Sequence, residues 1–150
     1  MDDAEIVRKV REEHIKLGEI TRSLNHALSA SPSKAVGSWL GQVRDRFEHF
    51  RAHLIHRIAL EELGGFLNVV AEREPTLSGE VENLRRDHER IIERAGVTMQ
   101  RLRALPADSP KSANEARIIV EMALAEVRYH EQAENLLVSR VFNQETGGEE

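Results

Sequence analysis

The chain contains no cysteine, which excludes disulfides, thiolate metal sites and thiol nucleophiles together. Proline occurs four times and aromatics make up only 4% of the residues, a composition that favours helices over a many-turned β fold. No apolar run approaches the roughly 20 residues of a membrane span. The opening MDDAEIVRKVREE mixes acids and bases where a signal peptide would have a basic and then an apolar stretch. A soluble, cytoplasmic protein that is not bound to membrane is the expectation. A dominant charge is missing as well: 21 basic residues stand against 26 acidic ones, for a net charge of -5. Arg85, Arg86, Arg90 and Arg94 alternate with Asp87, Glu89 and Glu93, which reads as a solvated face laced with ion pairs and not as a nucleic-acid surface.

What the sequence does have is helical periodicity. Its 150 residues, 40% hydrophobic and 31% charged, suffice for one domain with a real core, and four amphipathic patterns fill them. The first, about Asp3 to Leu28, starts behind Asp2 and Asp3 as N-caps and sets Ile6, Val10, Leu17, Leu24 and Leu28 on one stripe. After SASPSK (Ser29 to Lys34), Ser31-Pro32 suits a cap and first helical residue for the second pattern. That pattern carries Leu40, Val43, Phe47, Phe50 and Leu54 and runs to about Ala71, with a kink or close backbone approach expected at Gly64-Gly65. Beyond a break around Pro75, the third carries Val81, Leu84, Ile91, Ala95, Thr98 and Leu102. The fourth opens on a Ser112/Glu115 capping box and carries Ala116, Ile119, Ala123, Val127, Leu137 and Val141. The tail from about 143 to 150 reads as loose. The fold expected is all-α, an up-down-up-down four-helix bundle spanning residues 1–150 as a single domain.

Each stripe is broken by ionisable residues at positions where the spacing demands an apolar one. His14 interrupts the first, Arg57 and Glu61 the second, His88 the third, and His130 and Glu134 the fourth. An uncompensated charge on a core seam is very costly, so these residues must meet one another or face a metal. Residues four apart turn by only about 40° around a helix, so His130 and Glu134 can reach one point from adjacent turns. Histidine and carboxylate donors converging in a bundle core suit iron, manganese or zinc. His53, one turn before Arg57, is intermediate. His26, His49 and His56 read as surface residues and Tyr129 as a rim residue.

The pattern resembles the hemerythrin-like, HHE cation-binding domain. The likeness runs from EEHIKL around His14, through LEELGGFL (Leu60 to Leu67) and RRDHERI around His88, to YHEQAENLL around His130. It implies a non-haem iron pair bridged by carboxylates, here Glu61 and Glu134, and reversible oxygen binding, iron sensing, or redox and nitric oxide responses. Arg57 stands where that family's second-helix histidine belongs, and a guanidinium has no lone pair to offer a metal. At about 4 Å and an effective dielectric near 20, its repulsion with a divalent ion is roughly 8 kcal/mol.

Three outcomes follow. His53 substitutes for the lost histidine; or one metal remains, held chiefly by His130, Glu134, His88 and His14, with Arg57 in the second position; or no metal binds and Arg57 forms a forked pair with Glu61 or Glu134. The leading expectation is a metal-binding protein with His14, His53, Glu61, His88, His130 and Glu134 as ligands and a small molecule such as O2 or NO as partner. The alternative is a metal-free regulatory or interaction bundle. No nucleophile or general base stands out beyond these residues, so the reading is of binding and not turnover.

Overall fold

The computed structural model describes residues 2–30 and 35–143, and every regular element among them is helical. Helix α1 spans Asp3–Ser29, α2 Val36–Leu63, α3 Phe66–Arg73, α4 Ser78–Ala104 and α5 Pro110–Val138. A 3-10 turn at Pro75–Leu77 precedes α4, and a π-helical turn at Ser139–Asn143 follows α5. The Ser31-Pro32 cap and the tail from 144 onward lie outside the described residues. No helix among the described residues is long and apolar enough to cross a membrane.

Asp2 caps α1 as its sequence position predicts, its carboxylate accepting from the Glu5 N–H at 2.8 Å. Two boundaries differ from the periodicity reading. The second pattern is two helices and not one kinked helix: α2 ends at Gly64, where the Leu60 carbonyl oxygen occupies the place a Cβ would take. Gly65 then adopts a left-handed φ of 90°, which only glycine accepts at little cost. The chain therefore turns, and α3 folds Phe66, Leu67, Val69 and Val70 inward. The fourth pattern starts two residues before the expected capping box. Pro110 sits in the first turn, where its fixed φ and missing N–H fit, while Ser112 is buried inside the helix and caps nothing.

Helices α1 and α4 each run antiparallel to α2. Trp39 Nε1 donates to the Ala27 carbonyl at 2.8 Å, while His53 meets Glu13 at 3.1 Å, so the end of α1 lies against the start of α2. Arg44 donates to the Leu102 and Leu105 carbonyls at 2.8 and 3.0 Å and Arg85 reaches Glu62 at 2.6 Å, which sets α4 against α2 in the same sense. Arg117 donates to the Leu28 carbonyl at 3.0 Å, and α5 packs beside both α4 and α2.

The interior divides into two apolar clusters. The larger holds Leu24, Leu40, Phe47, Phe50, Leu54, Ile91, Leu102 and Val127 among others. The smaller holds Val10, Phe66, Leu67, Val70, Leu84 and Leu137. Arg57, Glu61, His88, His130 and Glu134 are buried between them, following Leu54 and preceding Phe66 on the α2–α3 segment and lying between Val127 and Leu137 on α5. Apolar packing on both sides keeps water from this polar layer, so its groups must satisfy one another.

Candidate metal centre

Arg57 lies at the middle of the polar layer and is 1% exposed. A side chain of that length is held there by charge: its Nη1 pairs with Glu131 and its Nη2 with Glu134, both closely, and Nη2 also lies 3.1 Å from Glu61 Oε1. Nη2 stands 3.1 Å from His14 Nε2 as well. A guanidinium only donates, so His14 presents a lone pair at Nε2 and its proton sits on Nδ1, which faces Glu131. Burial, then the Arg57 charge, lowers the His14 imidazole to about 4, in keeping with this neutral form.

On the other side of Glu134 the two buried histidines meet edge to face, their ring centres 4.8 Å apart. Both turn Nε2 inward. His88 Nε2 lies 3.0 Å from Glu61 Oε2 and 3.2 Å from Glu134 Oε1, and His130 Nε2 lies 2.5 Å from that same Glu134 oxygen. Both turn Nδ1 outward toward a carboxylate. His88 Nδ1 hydrogen-bonds Glu62 at 2.7 Å, with Glu62 held by Arg85, whereas His130 Nδ1 stands 3.7 Å from Asp87, beyond hydrogen-bond reach, and is buried without a hydrogen-bond partner. Metal-ligating histidines are commonly oriented by such outer carboxylates.

Four buried residues, Glu61, His88, His130 and Glu134, thus bring one donor atom each within 4.8 Å of one another, little more than twice a metal–ligand bond of about 2.1 Å. His14, Glu131 and Glu134 form a second such group on the Arg57 side. Both Glu61 oxygens are buried without a well-directed hydrogen bond, although Arg57 and His88 stand at ion-pair distance. Buried carboxylate oxygens left in this way are uncommon and call for an explanation.

The protonation states follow from crowding. Burial, then the neighbouring Glu134 charge, pushes the Glu61 carboxyl up to about 8. Burial alone would lower His88, but its contacts with the Glu134, Glu61 and Glu62 carboxylates outweigh it and raise the imidazole to about 10. Burial would raise Glu134, yet His130, His88 and Arg57 hold it well below the usual carboxylate range. At neutral pH the metal-free layer therefore keeps protons on Glu61 and His88, which balance the negative charge that Arg57 alone does not cancel.

Of the residues expected at the site, His14, Glu61, His88, His130 and Glu134 converge on this layer, and Arg57 points into it, paired with acids. His53 does not join. Half-buried on α2, it turns Nε2 to Glu13 Oε2 at 3.1 Å, and it belongs to neither group of convergent donors. A turn of helix is 5.4 Å long, so a residue placed one turn early meets α1 at the level of Glu13. His14 is divided by Arg57 from the two buried histidines it was expected to join, and Glu61 takes the fourth place beside them. His26, His49, His56 and Tyr129 are exposed as expected. Glu131, Glu62, Glu13 and Asp87 were not singled out. Each flanks a stripe position and does not lie on one, so the only signal was adjacency: Glu131 follows His130, and Glu62 follows Glu61.

No protein-family model, curated protein or solved structure matches this chain.

Proposed function

We propose that this protein binds a single non-haem transition-metal ion through Glu61, His88, His130 and Glu134, within a hemerythrin-like up-down-up-down arrangement of its four long helices. Arg57 takes the place of a second ion. The observation that carries this reading is the pair of inward Nε2 atoms, that of His88 backed at Nδ1 by the Glu62 carboxylate, beside a Glu61 whose buried oxygens lack directed hydrogen bonds. Nitrogen and carboxylate donors without thiolate suit iron, manganese or zinc.

Charge supports it too. A divalent ion and Arg57 together bring three positive charges, and Glu61, Glu131 and Glu134 bring three negative ones. The roughly 8 kcal/mol of repulsion between an arginine and a divalent ion at about 4 Å is thereby opposed by carboxylates that contact Arg57 directly. An iron ion held there would supply one-electron redox chemistry and a place for a small ligand such as O2 or NO. The protein's own residues hold and neutralise the ion, keep the histidine lone pairs aimed inward, and exclude water through the two apolar clusters. Binding or sensing is the use these parts suit, since the inward donors are taken up by the ion and by Arg57.

A second reading is favoured by one observation, the close Arg57–Glu134 pair. Here the layer binds no metal and serves as the polar core of an interaction bundle. Elemental analysis after expression in iron-supplemented medium separates the two. The metal reading expects one ion per chain, lost in His130→Ala and kept in His53→Ala; wild-type protein free of transition metal refutes it.

A further inference from the structure

Helix α5 carries a second apolar stripe that the interior does not use. Ile118, Met122, Ala125, Tyr129 and Leu136 follow at heptad-like spacing with Gln132 in the one polar place, a seam about 27 Å long. The four large side chains are half to three-quarters exposed, and Ala125 and Gln132 are exposed as well. Across a groove of about 860 Å³ between α4 and α5, Val97 is also half exposed. Taking a fully exposed large side chain as about 200 Å², the four large residues of this stripe leave roughly 500 Å² in water. That is toward the upper end for a monomer's largest apolar patch and approaches the size of a small interface, the standard one being ~800 Å² per partner.

The order of residues in the stripe says what covers it. We propose that this face joins two copies of the chain, α5 packing antiparallel on α5 about a two-fold axis at residue 127. Each stripe residue then meets the one equally far beyond the axis: Ile118 faces Leu136 of the second copy, Met122 faces Gln132, and the small Ala125 faces the large Tyr129. All six positions are used and none is left over. A parallel pair would instead stack Tyr129 on Tyr129 and Gln132 on Gln132, without the small-to-large fit. The interface is isologous and closes at two copies.

The absence of native cysteine makes the test clean. Full-length Met122→Cys and Gln132→Cys chains are purified separately and oxidised alone and mixed, with sedimentation of the wild type and of Tyr129→Glu alongside. The expected result is a dimer at high micromolar concentration, a disulfide-linked pair only in the mixture, and monomeric Tyr129→Glu with unchanged helical circular dichroism. Within either variant alone the two cysteines lie ten residues apart in level, about 15 Å, too far to bridge. A monomeric wild type overturns the proposal, as does a crosslink in either variant alone or a dimer with no mixed crosslink.

Discussion

Arg57→Met tests how the polar layer is held together. Methionine keeps most of the buried stem and removes only the charge, so the cost comes from Glu131, Glu134 and Glu61 losing their shared cation. Removing one partner of a buried ion pair costs about 3–5 kcal/mol. For a chain of 150 residues the unfolding entropy is roughly 0.3 kcal/mol per kelvin, so the melting temperature of metal-free protein should fall by about 10–15 °C. The deficit must also depend on pH in one direction. Arg57 is among the groups holding the Glu134 carboxyl down, and it also acts to lower Glu61. Without it both acids hold protons more tightly in the folded state, and that state loses stability relative to wild type as pH rises. Because Glu61 already holds its proton up to about 8 in wild type, the deficit should grow above that pH and be larger at pH 9 than at pH 7. Urea and thermal unfolding of chelator-treated wild type and variant at the two pH values measure it. A loss below about 1 kcal/mol, or an equal loss at both, refutes the reasoning.

Two further outcomes rest on the proposed metal site. Because Glu61 is raised to about 8 and His88 to about 10, both carry protons at pH 7 in the metal-free protein. An ion binding there displaces about two protons, and apparent affinity climbs steeply up to pH 8 and more gently toward pH 10; calorimetry in buffers of different ionisation enthalpy counts them, and no net release at pH 7 contradicts the assignment. Glu62→Gln removes the charge behind His88 Nδ1 and should weaken metal binding about 10–100-fold while the chain still folds, read by competition with a chelator.

Much of the layer was legible because a helical stripe has few acceptable exceptions. His14, Glu61, His88, His130 and Glu134 each stood where an apolar residue was due, and burying an ionisable group is costly enough that such gaps carry information. Glu131 and Glu62 escaped notice because they lie about 100° round the helix from the stripe, where acids are ordinary surface residues. His53 misled for a related reason: periodicity gives the face of a helix, but the neighbour it meets at each level is set by packing. The Ser112 capping box was a valid local pattern overridden by Pro110, whose backbone preference starts the helix earlier.

By itself the sequence determined the all-helical class, the inward face of each long helix and which polar residues interrupt it, because these depend on spacing along one chain. Only the tertiary structure decided that Arg57 turns inward to Glu131 and Glu134, that His14 and His53 part from the buried histidines, and that α3 breaks away at Gly65. Those outcomes depend on which charges from different helices reach the same level in an interior without water. There a long cation goes to the nearest group of carboxylates, and no spacing within one helix records where that group lies.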